Sequence, residues 1–114
     1  MQRIGELIRD RNIILKGADA ASMRGFTQVP NFLLRSNKLS SGDKLAFAML
    51  LSYAWQNDYC FPGQRRLGED MGIDERNVRR HLKSLVTNGL LTIRRRGQGK
   101  TNIYELNLKP RRLS

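Results

Sequence analysis

Four side chains able to make directional hydrogen bonds to nucleobase edges crowd one short segment: Arg76, Asn77, Arg79 and Arg80, with Glu75 before them and Lys83 after. Arginine can engage both acceptors of guanine, asparagine can pair with adenine, and glutamate can accept from cytosine or repel a wrong approach. On a helix, the early exposed positions would meet base edges and Lys83 would lie nearer the phosphate backbone. A solvated helix face is the plain alternative, since exposed charge alone says little. A second basic group favours chemistry over solvation: Arg94, Arg95, Arg96, Gln98, Lys100 and Thr101, with no obvious buried partner. Such a loop suits phosphate or minor-groove contact. Charge that protects a strand edge is a compatible role. Alternation puts Arg95 on the same face as Leu91 and Ile93, where it could instead cover the edge of the core. A third group, Gln64, Arg65 and Arg66, falls at the start of an expected helix, where free amides beside Arg65 would suit a phosphate.

The charge balance points the same way. The 114 residues hold 21 Lys plus Arg against 10 Asp plus Glu, a formal net charge of +11. The excess is clustered. Arg65, Arg66, Arg76, Arg79, Arg80, Lys83, Arg94, Arg95, Arg96 and Lys100 face only Glu69, Asp70, Asp74 and Glu75 between Pro62 and Tyr104. Residues 109–114 add Lys109, Arg111 and Arg112 with no acid, whereas residues 26–61 are close to neutral. A polyanion is the partner such clustering implies, and nucleic acid is the commonest.

Other chemistries find no residues to carry them. Cys60 is the only cysteine and His81 the only histidine, so neither an intramolecular disulfide nor a cysteine-built metal site can form. Cys60 reads as a small buried residue, and His81 as a satisfied residue at the border of a buried stripe. Asp43, Asp58, Asp70 and Asp74 read as caps and turn residues. No paired carboxylates, phosphate-cradling glycine loop or Ser-His-Asp set can be assembled, so no catalytic activity, cofactor, metal or small-molecule ligand is expected. No apolar run spans a bilayer and the N-terminus is too charged for a signal peptide, which predicts a cytoplasmic protein without a membrane partner.

The helices and strands that carry these groups can be read from residue spacing. Ser40 is a candidate N-cap for a long apolar segment, with Asp43 placing negative charge in its first turn. Lys44–Trp55 leaves almost no polar face, which predicts a central, buried helix ended by Asn57 and Asp58. Upstream, Pro30 breaks the chain and Asn31 starts a short turn or helix. Tyr59–Phe61 would make a short edge strand. A helix then starts near Pro62 or Gly63, with proline suited to the first position, and runs to Met71. Gly72 ends it in a left-handed conformation and Asp74 caps the next. That next helix, Glu75–Asn88, buries Val78, Leu82, Leu85 and Val86, and Asn88-Gly89 stops it. Leu91 and Ile93 alternate in one strand; Tyr104, Leu106 and Leu108 alternate in another. Gly97-Gln98-Gly99-Lys100 supplies the hairpin turn between them. Residues 1–25 are expected to form an arm, with Ile4, Leu7 and Ile8 at helical spacing, that docks on the core, contacts a second copy or stays partly unfolded.

Helix, tight turn, helix and basic hairpin, carried by FTQVPNFLL, LSSGDKLAFAMLLSYAW, CFPGQRRLGEDMGIDERNVRRHLKSLVTNGLL and NIYELNL, resemble the winged helix-turn-helix DNA-binding domains of plasmid and phage replication initiators and related bacterial regulators. The resemblance covers residues 26–108, nearly three quarters of the chain. It implies an α+β fold with a three-helix core and a C-terminal hairpin wing, followed by a basic tail at 109–114. It makes Asp74–Asn88 the recognition helix, Leu91–Leu108 the wing and Pro62–Met71 the supporting helix. It implies double-stranded DNA as the partner, in a transcriptional regulator or an initiator-type protein, with residues 1–25 as the segment available for a homodimer. Initiators usually continue into a second domain, whereas this sequence stops at Ser114, as a stand-alone regulator or a fragment of something longer would. A winged-helix protein-interaction module and a non-specific DNA-binding accessory factor stand as alternatives.

Overall fold

The computed structural model describes residues 15–17, 25–55, 63–95, 97–99 and 102–110. They form four helices, α1 (Asn31–Arg35), α2 (Ser41–Trp55), α3 (Gln64–Met71) and α4 (Glu75–Thr87), followed by strands β1 (Leu91–Arg94) and β2 (Ile103–Leu106). Most of the N-terminal arm (1–14 and 18–24), the expected edge strand at 59–61 and the expected helix end at Asn57 and Asp58 lie outside the described residues. Among the described residues no helix is long and apolar enough to cross a membrane.

Helix α2 begins with a reciprocal cap. The Asp43 amide donates to Ser40 Oγ and the Ser40 amide donates to Asp43 Oδ2, both at 3.1 Å. Two donors that the first turn would leave orphaned are thereby satisfied. Ala46, Phe47, Leu50 and Leu51 then face inward and are buried. The expectation of a helix buried all round is corrected here: Leu45 is 44% exposed, and Ala48 and Ser52 on the same side are half-exposed. Among the described elements α3 and α4 are the main packing partners of α2, so the side turned away from them stays open.

Helices α3 and α4 are joined by a turn that the sequence spells out. Gly72 adopts φ 74°, and the Ile73 amide donates to Gly68 O at 2.9 Å while the Gly72 amide donates to Glu69 O at 3.3 Å. This paired closure needs a left-handed residue, which glycine enters without a Cβ penalty. Ile73 turns partly inward against the core. Asp74 then caps α4 by accepting the Asn77 amide at 2.8 Å. Gly68 is the close-approach position: a Cβ there would meet Ile73 O at 2.8 Å and Val78 Cγ2 at 3.2 Å. Of the two starts expected for α3, near Pro62 or near Gly63, the structure favours the second: Gly63 is the N-cap, with a φ of 109° that favours glycine, and the helix begins at Gln64.

Val78, Leu82 and Leu85 of α4 are buried with Leu67, Phe47 and Leu33 in the centre of the core. Each such side chain stabilises the fold by about 1.5–3 kcal/mol relative to exposure. Val86, read as part of that stripe, is instead 43% exposed, because it sits on the flank that looks toward the hairpin. Helix α4 ends as expected at Asn88-Gly89, with Gly89 at φ 76° and the Leu90 amide donating to Leu85 O at 2.9 Å.

Strands β1 and β2 pair antiparallel with Leu91 opposite Leu106 and Ile93 opposite Tyr104. Those four point toward the helices and close the core, while Thr92 and Glu105 point away. Leu108 does not continue the alternation and is 49% exposed. The chain turns at Asn107, whose amide donates to Leu90 O and whose Oδ1 accepts from the Lys109 amide, both at 2.9 Å. Asn107 Nδ2 also donates to Gly89 O at 3.0 Å, tying the end of the hairpin to the end of α4.

Candidate nucleic-acid interface

The functional surface starts from how α4 is fixed. One flank carries His81 and Ser84, which converge on Asp43 of α2. His81 Nδ1 lies 2.7 Å from Asp43 Oδ1, and Ser84 Oγ donates to Asp43 Oδ2 at 2.7 Å. With the capping contacts, this one carboxylate holds α2 and α4 together while remaining 5% exposed. Burial pushes its carboxyl up, but the hydrogen bonds from Ser84, His81 and Ser40 outweigh that and hold it below its ordinary value of 3.8. Gly42 makes the contact sterically allowed, because a Cβ there would fall 2.2 Å from His81 Cε1. His81 is therefore a satisfied boundary residue, as expected, and Asp43 does more than cap a helix.

With that flank and the core stripe committed inward, α4 shows a fixed set of side chains to solvent. Glu75, Arg76, Arg79, Arg80 and Lys83 are all exposed. Asn77 is set apart: it is half-buried, and a two-residue step of about 200° puts it on the opposite flank from Arg79. Its backbone amide serves the Asp74 cap. The cations differ in their company. Arg79 Nη1 lies 3.8 Å from Glu75 Oε2, one turn earlier. Arg76, Arg80 and Lys83 make no ion pair with any described residue.

The same division recurs on the neighbouring elements. On α3, Arg65 pairs with Glu69 at 3.4 Å and Arg66 with Asp70 at 3.2 Å. Asp70 also accepts from the Tyr53 hydroxyl at 2.6 Å, so it anchors α3 to α2, correcting its reading as a cap or turn residue. The Tyr53 hydroxyl and then Arg66 hold the Asp70 carboxyl below its usual range. Burial, and then the Asp70 carboxylate, push the Tyr53 phenol above its ordinary value of 10.0. On the hairpin, Arg94 pairs with Glu105 at 2.9 Å across the strands, whereas Arg95 is exposed without an ion pair among the described residues. Gln98 is exposed at the tip between Gly97 and Gly99, whose φ values of 105° and 78° suit the turn. Arg96, Lys100 and Thr101 lie outside the described residues.

A groove between the start of α3, the end of α4 and the hairpin brings two of the anticipated groups together. Gln64 and Arg95 line it with Val86, Leu91, Ile93 and Tyr104, and with Thr92 and Asn102 at its polar edge. Arg95, expected on the face of Leu91 and Ile93, borders the groove that they line. Sequence reasoning does not reach Thr92, Asn102 and Tyr104 as site residues, because their place beside Gln64 depends on how the hairpin packs against the start of α3. Among the described residues, no group of three His, Cys, Asp or Glu side chains could hold a metal.

Comparison with known proteins places this arrangement. Residues 37–91 match the family described as a helix-turn-helix domain. No curated protein sequence matches the chain. Among solved structures, one described as the N-terminal domain of a DNA binding protein is 25% identical, with a TM-score of 0.61, covering 87% of this chain and 85% of that one. A second, described as a Rep-DNA complex, is also 25% identical, with a TM-score of 0.59 and coverage of 86% and 85%. The turn at Gly72, the Asp74-capped helix and the hairpin after it together give this chain an α+β winged helix-turn-helix fold, within which residues 37–91 match the helix-turn-helix domain family.

Proposed function

We propose that this chain binds double-stranded DNA in a sequence-specific manner, with α4 in the major groove and the hairpin against the adjacent backbone or minor groove. The observation that carries this reading is the outward face of α4, where Arg76, Arg80 and Lys83 stand exposed and uncompensated among the described residues, beside a basic hairpin. A major groove about 12 Å wide accepts one helix, and the deep, narrow major groove of duplex RNA does not. Similarity to a protein solved in a Rep-DNA complex adds support. The protein acts by occupancy rather than catalysis, as a transcriptional regulator or an initiator-type origin binder. One recognition helix covers one short half-site, so useful affinity requires two copies or repeated sites, with residues 1–25 as the segment that joins them.

Fluorescence anisotropy of a random duplex and of a duplex enriched by in vitro selection, each across a salt series, tests this. The proposal expects steep salt dependence for both and an advantage on the order of 10³-fold for the selected site. Equal affinities at every salt would reduce the surface to a non-specific grip. Absence of binding to either duplex would point to a protein partner instead.

A further inference from the structure

Not every arginine on the outward surface is equally free to read a base. On α4, positions 76, 80 and 83 lie on the side of the helix opposite the buried Val78, Leu82 and Leu85, by the 100° step per residue. They form the ridge farthest from the core, which enters a groove deepest. Arg79 stands on the flank of that ridge, and its guanidinium is 3.8 Å from the Glu75 carboxylate. Opposite charge four residues away on an exposed face is a loose restraint, but it biases the rotamer and offsets the charge locally. Arg65 with Glu69 and Arg94 with Glu105 repeat the pattern on α3 and the hairpin.

Resting on the DNA-binding reading above, we propose that Arg76 and Arg80 are the specificity-determining residues and that Arg79 contributes charge without sequence preference. Side chains three to four positions apart on a groove-lying helix reach successive base pairs. A free guanidinium most often engages the two acceptors of guanine. The target site therefore carries guanines at two neighbouring base pairs, one read by Arg76 and one by Arg80. Lys83, a turn further from the helix start, grips a phosphate, where its point charge needs no planar partner.

The test is in vitro site selection with the full chain and with three single variants, R76A, R79A and R80A, followed by anisotropy on the selected and random duplexes. Circular dichroism and melting confirm that each variant folds. The selected consensus is expected to hold two neighbouring G·C pairs. R76A and R80A should each relax the consensus at one of them and weaken the selected site roughly 10- to 100-fold, with a change of less than about threefold on random DNA. R79A should weaken both duplexes alike, by less than about fivefold, and leave the consensus intact. A consensus altered by R79A, or losses from R76A and R80A that are equal on both duplexes, overturns the assignment while leaving DNA binding standing. Failure of the unmodified chain to bind any duplex overturns both.

Discussion

The two sides of α4 obey different rules. Its inner side is over-determined. Val78, Leu82 and Leu85 fill the core, while His81 and Ser84 bond a buried carboxylate that also caps α2. Its outer side holds long charged side chains whose partners are a single carboxylate of the same helix or none among the described residues. Packing and polar satisfaction account for every inner residue. They account for none of Arg76, Arg80 and Lys83, the side chains that the proposed function assigns to DNA. The inner side supplies the rigidity that makes an outer side worth reading, because a site on a fixed helix keeps its geometry.

Breaking the inner side should therefore cost stability in proportion to what is left unpaired. The largest effect is expected for Asp43→Ala, which strands His81, Ser84 and the Ser40 amide at once. Unfolding free energy should fall by about 3 kcal/mol, with a drop in melting temperature of roughly 10 °C or more. Gly68→Ala follows, because its Cβ would press on backbone at Ile73 and little there can yield; a loss of about 2 kcal/mol in denaturant melts is expected, despite the better helix propensity of alanine. Ser84→Ala removes one donor and should cost about 1 kcal/mol by the same measurement.

Acid titration separates the two sides of α4 by a second measure. Asp43 has a folded-state value below its ordinary 3.8, so its contribution is full above that ordinary value and is lost as pH falls through the folded value. Asp70 shifts the same way through Tyr53 and Arg66. Melts taken below about pH 4 should show a shallower loss of stability in Asp43→Asn than in the unmodified chain. An identical acid slope in the two proteins would mean that the carboxylate is not what locks α2 to α4. The smallest stability effect belongs to the outer side: Arg80→Ala should stay within about 0.5 kcal/mol of the unmodified protein.

Much of this contrast is readable from residue types, and its limits have physical causes. Local signals suffice wherever the partner lies within one turn. Ser40 and Asp43 sit three apart for a reciprocal cap, Gly72 precedes the Asp74 cap, and Val78, Leu82 and Leu85 keep a helical period. The bonds from His81 and Ser84 to Asp43 span 38 and 41 residues and leave no local trace. The exposed side of α2 is illegible for a similar reason. Its apolar composition predicts burial, but burial depends on which elements pack against it. Other features do leave a local trace. Glu75 and Arg79, like Arg65 and Glu69, are four apart, the spacing at which helical ion pairs form. Gly68 inside a helix is itself a sign of close approach. The pair Arg94–Glu105 requires the strand register, which the hairpin composition alone does not fix.

The outer side of α4 is proposed to serve DNA and not the fold. The most direct test is one triple variant, Arg76→Ala with Arg80→Ala and Lys83→Ala, measured for melting temperature and for affinity to the selected duplex at one fixed salt concentration. A melting temperature within a few degrees of the unmodified protein is expected, with an affinity lower by on the order of 100-fold or more. Affinity that survives in a folded triple variant would contradict it.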